Sequence, residues 1–367
     1  MACPTAHGNA HRPTQLGKLE GAQRIAMKAI LGTFRTTVTS ALKVESSLYP
    51  AHLRLRIKIL KSLTHMQTYP PMNPIQSSIQ RAARSQSKVH ITTLEYMTRT
   101  FPQYDPSTIE TIYPHPKPPW WTQPFAVAIC GDKKEAKKYH DNAIHSPDTI
   151  CIYTDGSGID SHIGAAAYSP TTSAVKRQYL GPETEYNIYV AEVAAVKLAA
   201  DIVKESGNTY EKGVIYLDSQ AAAKGLTKPN KQLGQQILIS VLEYIEAIKA
   251  LTPNITLVWI PGHMEIVGNE KADEAAKEAA KSKKVDVNFT HKPLKSSRSN
   301  VINQIVKKDW LDAWKNGKDN AKQLRRITTK AQDQESKKLY NSINNRTSLV
   351  QLARLHTGHC SLNQYLH

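Results

Sequence analysis

Four acidic residues in the second half of the chain are candidates for chemistry, because each lies in a distinct sequence context. Asp155 ends the apolar run TICIYTD, and Asp218 ends the apolar run GVIYLD. Glu192 lies in the helical stretch YVAEVAAVKLAADI, where its apolar neighbours make a lone carboxylate costly. Asp273 lies in the first turns of the predicted helix NEKADEAAKEAAKS. Four carboxylates that converge cannot all stay ionised without divalent cations between them, so the set predicts a divalent-metal site.

Each acid has an ordinary structural explanation when it is taken alone, as a helix cap or a surface residue. Asp273 in particular is favoured near a helix N-terminus by the helix dipole. The four acids together are a more specific signal for a metal site than any one of them alone. Asp155 and Asp218 both follow apolar strands, and ligand sites of open α/β sheets commonly form at the carboxyl ends of strands.

The elements that must position these acids alternate in type between residues 149 and 284. Three successive strands are followed by a helix, a strand, two helices, a strand and a last helix. This order predicts an α/β fold in which a mixed sheet is covered by helices. The stretches, in order, are TICIYTDG, IGAAAYSP, AVKRQYLG, YVAEVAAVKLAADIVKES, GVIYLD, SQAAAKGL, GQQILISVLEYIEAIKAL, ITLVWIPG and NEKADEAAKEAAKS.

The motifs TDGSG, AE-x3-V, LDS and GHMEIVGNEKAD resemble those of type 1 ribonuclease H domains in order and context, over about residues 150–282. The resemblance implies the ribonuclease H-like fold, which has a five-stranded mixed sheet with helices on both faces. It implies that Asp155, Glu192, Asp218 and Asp273 act as catalytic residues by holding two Mg²⁺ ions, for which Mn²⁺ can substitute. Such ions activate the attacking water and neutralise the leaving oxygen. The implied reaction is endonucleolytic cleavage of the RNA strand of an RNA–DNA hybrid.

The resemblance also implies roles for residues next to the acids. Glu192 would lie near the ribose 2′-hydroxyl, which only the RNA strand offers. Gly156 and Ser157 would bring the backbone close to a phosphate, and Ser219 and Asn269 would be polar contacts to the nucleic acid. His263, in the loop before the last helix, would be a catalytic residue for proton transfer or product release. Its ordinary alternative is a surface histidine.

The sequence departs from the family pattern at two places. Met264 and Glu265 follow His263, where the family often has a small residue, so an added acid lies in this loop. The helix GQQILISVLEYIEAIKAL has one Lys and two Glu, whereas some relatives have a basic helix before the last strand. We therefore expect the catalytic module alone to bind hybrid weakly.

Charge is distributed unevenly along the 367 residues. The formal net charge of +17 divides into +10 for residues 1–150, −2 for 151–284 and +9 for 285–367. Basic flanks around a nearly neutral centre favour nucleic-acid binding by the flanks over an ordinary solvated basic surface. The sequence has no long apolar run, no secretory signal and no paired cysteines among its four. These features predict a protein without membrane contact, in a reducing intracellular compartment, nucleus or cytoplasm.

Composition, periodicity and the resemblance to ribonuclease H domains together predict five regions. Residues 1–15 are predicted to be disordered, 16–66 helical, 67–148 a Pro-rich linker, 149–284 the ribonuclease H domain and 285–367 a basic helical segment. In the first helical region, apolar residues at spacings of three and four predict a helix from Leu16. The linker prediction depends on seven prolines between residues 101 and 125, which disfavour helix and central strand.

The flanks resemble segments of non-LTR retrotransposon reverse transcriptases. LEGAQRIAMKAILGTFRTTVTSALKVESSLYPAHLRLR is similar to the stretch after the polymerase domain, and LARLHTGHCSLNQYL to the stretch after ribonuclease H. The sequence has no Tyr-x-Asp-Asp motif, so polymerase activity is not expected. His356, His359, Cys360 and His367 lack a paired Cys element, so zinc binding is not expected either. Other parts of a retroelement polyprotein are expected partners.

Three functions are consistent with these features. The first is an active ribonuclease H with RNA–DNA hybrid as its partner, within a retrotransposon reverse transcription machinery. The second is a catalytically silent, nucleic-acid-binding remnant of a retroelement polyprotein. The third is a transposase or integrase of related fold, which the helix-borne Glu192 together with GH-x5-NE-x2-D disfavours.

Overall fold

The structure is a computed structural model of the whole chain. It describes residues 13–85, 91–100, 108–129, 134–135, 138, 140–141, 146, 148–207, 209–230, 232–261, 266–284, 289–329 and 334–358. The chain divides into two compact units. The sheet unit comprises residues 64–76 and 104–300, and the helical unit comprises residues 1–63, 77–103 and 301–367. No helix of the described residues is both long and apolar enough to span a membrane.

The sheet unit is built on a mixed sheet whose strand order is β1-β6-β5-β2-β3-β4. Strands β2, β3 and β4 form an antiparallel meander, whereas β1, β6, β5 and β2 run parallel to one another. The strands are β1 (Ala126–Ile129), β2 (Thr149–Ile159), β3 (His162–Ser169), β4 (Ala174–Pro182), β5 (Lys212–Leu217) and β6 (Asn254–Trp259). The α/β class, the mixed sheet and the order of its elements confirm the predicted ribonuclease H-like fold.

The predicted number of strands was wrong, because the described residues form a six-stranded sheet and not a five-stranded one. The additional strand β1 pairs in parallel with β6, from Ala126 opposite Thr256 to Ile129 opposite Trp259. It lies in the stretch that the sequence indicated as a linker. The same stretch contains two helices, Pro74–Arg84 and Thr93–Thr100. A four-residue edge strand directly after a proline-rich segment has too few alternating positions to be recognised from sequence.

The helices of the described residues cover both faces of the sheet or form the helical unit. They are α1 (Pro13–Leu31), α2 (Thr39–Glu45), α3 (Ala51–Gln67), α4 (Pro74–Arg84), α5 (Thr93–Thr100), α6 (Ile188–Glu205), α7 (Gln220–Thr227), α8 (Gln235–Ile248), α9 (Val267–Ser282), α10 (Lys295–Lys315), α11 (Lys322–Ile327), α12 (Gln334–Ser342) and α13 (Arg346–His356).

Alternate residues of the buried strands contact different helices. Ile150 and Ile152 of β2 pack into the larger core, which also contains the apolar faces of α6 and α8. Cys151 and Tyr153 face the opposite side, where Ala272 of α9 completes a smaller core. Because side chains alternate across a strand, β2 is buried on both faces as far as Gly156. Its pairing with β5 stops at Thr154, so Asp155 is the first residue of β2 beyond that pairing.

The helical unit is assembled from both flanks of the chain. Ala41, Val44 and Leu53 from the N-terminal flank share one core with tryptophans of α10 and with Leu324 of α11. A second cluster joins Met27, Leu31 and Leu42 to Ala353 of α13. Both cores of the helical unit therefore contain side chains from the two flanks.

The predicted helix from Leu16 is present as α1, but its apolar spacing did not indicate the buried face. The apolar residues at these spacings are Leu19, Ala22, Ile25, Ala26, Ile30 and Leu31. Leu19, Ile25 and Ile30 are exposed and Leu31 is buried, whereas the fully buried Met27 is not one of them. The apolar spacing predicts that a helix forms. It identifies the buried face of that helix only when the apolar face is the one that packs against another element.

Candidate active site

Asp155 and Asp218 are brought together by the register of two parallel strands. Thr154 of β2 pairs with Leu217 of β5, so Asp155 and Asp218 are the next residues along these adjacent strands. Trp259 donates its indole N–H to the main-chain oxygen of Asp218 (2.9 Å), which fixes the backbone at the end of β5. The sheet therefore brings the two carboxylates side by side. The sequence predicted both acids at strand ends, which is correct for Asp218, because β5 ends at Leu217. It is wrong for Asp155, because β2 continues to Ile159 through its pairing with β3.

Glu192 reaches the same place from helix α6, which packs directly on β2. The side chain of Asn187 caps this helix by accepting from the Val190 N–H (3.1 Å). Gly156 makes the close approach of helix and strand feasible. A Cβ at Gly156 would lie 2.5 Å from the backbone nitrogen of Glu192 and 2.8 Å from the carbonyl carbon of Ala191. Only glycine fits between the strand and the helix here.

Asp155, Glu192 and Asp218 each offer a carboxylate oxygen within 4.8 Å of the others, which is a separation that one or two cations can bridge. Asp155 and Glu192 are 7% and 6% exposed. Asp273, the fourth predicted ligand, lies on α9 outside this compact group. Its carboxylate accepts from Lys277 Nζ at 2.5 Å, one helical turn further along.

The two buried carboxyls have strongly raised pKa values. Burial, and then the charges of Asp218 and Asp273, raises the pKa of Asp155 to about 7. Burial, and then the charges of Asp155 and Asp218, raises the pKa of Glu192 to about 9. The backbone N–H of Gly156 opposes both shifts by hydrogen bonding to the carboxylates. Cations placed between the carboxylates would remove the repulsion and let both ionise.

The donor set fits a hard divalent cation. All three groups offer carboxylate oxygens, which are the ligands that Mg²⁺ and Mn²⁺ prefer. Glu192 Oε2 is buried and has no hydrogen-bond partner in the described structure. A buried carboxylate oxygen without a partner is costly, and coordination to a cation would satisfy it. The residues present therefore fit the metal that the sequence predicted.

The structure describes four of the remaining predicted residues, which are Gly156, Ser157, Ser219 and Asn269. Gly156 and Ser157 continue β2 beyond Asp155. Ser219 caps α7 by accepting from the Ala222 N–H (3.3 Å), so its hydroxyl has a structural use. Asn269 lies in the first turn of α9, and its Oδ1 is buried without a partner among the described residues. His263, Met264 and Glu265 lie outside the described residues.

Sequence reasoning missed two supporting residues, Lys277 and Trp259. Lys277 pairs with Asp273, and its charge also lowers the pKa of Asp155. Its spacing of four residues from Asp273 on a predicted helix was a usable signal. The hydrogen bond from Trp259 to Asp218 joins residues of neighbouring strands, and no sequence pattern predicts it.

The mixed sheet and its covering helices define this part of the chain as an α/β domain of the ribonuclease H-like fold. Residues 147–281 match the protein family model described as RNase H. This segment of the chain is therefore an RNase H domain.

Similar proteins include viral polyproteins and RNase H structures. The Pol polyprotein of equine infectious anemia virus (strain Wyoming) is 35% identical over 134 residues, which are 35% of this chain and 10% of that polyprotein. Isolate 1369 of the same virus gives the same values. The chain thus matches about a tenth of the length of these relatives.

Two solved structures are similar over about a third of the chain. RNase H1 from the halophilic archaeon Halobacterium salinarum NRC-1 has 19% identity and a TM-score of 0.28, covering 36% of this chain and 98% of that one. LC11-RNase H1, solved in complex with RNA/DNA hybrid, has 21% identity and a TM-score of 0.31, covering 36% and 97%.

Proposed function

We propose that this chain is a divalent-metal-dependent ribonuclease H, an endonuclease that hydrolyses the RNA strand of RNA–DNA hybrids. The observation that most supports it is the group of three carboxylates within 4.8 Å of one another, located in a segment that matches the RNase H family. We further propose a place in a reverse transcription machinery, which the similarity to Pol polyproteins supports.

In this proposal Asp155, Glu192 and Asp218 bind the metal, with Asp273 as a further ligand. Two bound Mg²⁺ ions, or Mn²⁺, would supply an activated water and neutralise charge at the leaving oxygen. Lys277 pairs with Asp273 at 2.5 Å and restrains its side chain on α9. The register of β2 and β5 fixes the spacing of Asp155 and Asp218, so that little reorganisation is needed when charge develops.

Discrimination for RNA is assigned to the same cluster. Glu192 would lie near the ribose 2′-hydroxyl, a group that is absent from the DNA strand. Ser157, Ser219 and Asn269 are proposed contacts to the nucleic acid, and the buried, unpartnered Oδ1 of Asn269 supports a role as acceptor. His263 is proposed to assist proton transfer or product release.

A cleavage assay on hybrid, duplex RNA and duplex DNA tests the proposal. The wild-type chain in Mg²⁺ should cut only the RNA strand of the hybrid, and Asp155→Asn and Glu192→Gln should each abolish cutting. Asp160→Asn is a matched control, because Asp160 is an exposed residue of the β2–β3 turn with φ of 50°, which Asn tolerates. Equal cutting of all three substrates, or undiminished cutting by the two site variants, would refute the proposal.

A further inference from the structure

The excess positive charge of the protein lies in the segments of the helical unit. The segments of the helical unit, residues 1–63, 77–103 and 301–367, contain 26 Lys and Arg against 8 Asp and Glu. The segments of the sheet unit contain 22 Lys and Arg against 23 Asp and Glu. The division along the chain into basic flanks and a neutral centre is thus a division between folded units.

Five cations of the helical unit lie around the C-terminal end of α1. They form a composite cationic cluster, so called because it combines residues from both flanks of the chain: Arg24, Lys28, Arg35, Arg346 and Arg354. None of the five forms an ion pair with a described carboxylate. Arg35 and Arg346 are exposed, and the other three are half-buried.

The arginines from α13 are positioned by backbone carbonyls of the N-terminal flank. Arg346 donates to the main-chain oxygens of Ala29, at 2.7 Å, and Ile30. Arg354 donates from Nε to the Gly32 oxygen (2.9 Å), and its guanidinium lies 4.5 Å from the Phe34 ring centre. Cations at a helix C-terminus are favoured by the helix dipole, so this part of the cluster is stable without any ligand.

The cations from α1 and the following loop repel one another. Arg24 donates to the Arg35 main-chain oxygen (3.3 Å), which holds the two residues together, while its Nε is buried without a partner. Desolvation, and then the charges of Arg24 and Arg35, lowers the pKa of Lys28. A polyanion bound here would relieve this repulsion and would release counterions from the surface.

We propose that the composite cationic cluster binds the sugar–phosphate backbone of duplex nucleic acid, which makes the helical unit the module that grips nucleic acid. The inference rests on the proposed function for its partner class, because an RNase H domain in the same chain requires a nucleic acid substrate. Recognition is of phosphate and therefore does not depend on base sequence. An acidic protein is the alternative partner for such a surface.

Binding is measured with the full chain in EDTA, where cleavage does not occur, by fluorescence anisotropy of a labelled RNA–DNA hybrid between about 50 and 200 mM salt. The test variant is Lys28→Gln/Arg35→Gln, whose side chains donate no hydrogen bond to the described residues. The matched control is Lys204→Gln/Lys212→Gln, which removes the same charge from exposed positions of the sheet unit. Thermal unfolding of both variants verifies that they fold.

Loss of two phosphate contacts should reduce the slope of log affinity against log salt by about 1.8, and affinity near 0.1 M salt by roughly 10- to 60-fold. The control should change little. An equal loss in the control would overturn the inference, because net charge alone would then explain binding. Competition by polyglutamate as effective as that by duplex would overturn it in favour of an acidic protein. A chain that binds through the cluster but does not cleave in Mg²⁺ contradicts only the proposed function.

Discussion

Substitution of Gly156 by alanine tests whether the contact of β2 with α6 sets the geometry of the carboxylate cluster. The new Cβ would lie 2.5 Å from the Glu192 nitrogen, and ordinary contact begins near 3.4 Å, so strand and helix must separate by about 0.9 Å. Both obstructing groups are backbone, which no rotamer change can move. Overpacking of this kind costs about 1–3 kcal/mol of stability.

The displacement should affect catalysis more than folding. Glu192 itself is the residue that must move, and a misplacement of about 1 Å can lower activity by about 10²-fold. We expect Gly156→Ala to lower kcat on RNA–DNA hybrid by about this factor and to weaken the dependence of thermal stability on Mg²⁺. Both are measured by initial-rate cleavage and by thermal unfolding across a Mg²⁺ titration.

Gly158→Ala is the matched control on the same strand. Its Cβ would lie 3.4 Å from the side chains of Ile163 and Ile188, which is ordinary contact. We expect nearly wild-type rates from this variant. If Gly156→Ala kept wild-type kcat and wild-type stabilisation by Mg²⁺, the argument that this glycine positions Glu192 would be refuted.

Two further predictions concern buried carboxylates. Because the folded-state pKa of Glu192 is raised to about 9 from 4.5, the stability that it contributes to the metal-free chain is complete below about pH 4.5 and is lost as the pH rises through 9. Glu192→Gln should therefore raise Tm in EDTA at pH 9 but not at pH 4.5, and Mg²⁺ should then stabilise only the wild-type chain. Glu110 is fully buried and accepts from the N–H groups of Gly234 (2.7 Å) and Lys295 (2.8 Å), so Glu110→Gln should cost about 1–3 kcal/mol in denaturant unfolding.

Each of these predictions has an outcome that contradicts it. A Tm difference between Glu192→Gln and wild type that does not vary with pH would mean that Glu192 is not held protonated by burial. For Glu110, the matched control is Glu243→Gln at an exposed position of α8. Equal stability of the two variants would show that Glu110 does not stabilise the starts of α8 and α10.

The site was more predictable from sequence than the parts of the chain around it. Asp155 and Asp218 were recognisable because each acid follows an apolar run, and the register of β2 with β5 brings the two together. Glu192 was recognisable because burying a carboxylate among alanines and valines is costly, which indicates a functional role. Both signals are patterns of neighbouring residues, and such local patterns can be recognised in a single sequence.

Long-range contacts account for what the sequence could not show. Glu110 caps helices that begin more than a hundred residues later, and no periodicity reports such a partner. The buried face of α1 could not be predicted either, because it is the face that packs against the C-terminal flank. Asp273 stays a predicted metal ligand, and its pairing with Lys277 required the structure.

The composition of the helical unit from both flanks has a consequence for the order of folding during synthesis. Chains fold from the N-terminus as they emerge, and domains generally fold as units. Residues 64–76 and 104–300 can complete the sheet unit before the rest of α10 and all of α11 to α13 have been made. Met27, Leu42 and Leu53 lack their packing partners from the C-terminal flank until that flank has been synthesised. Nascent chains arrested before residue 301 should therefore contain a protease-resistant sheet unit and a protease-sensitive N-terminal flank.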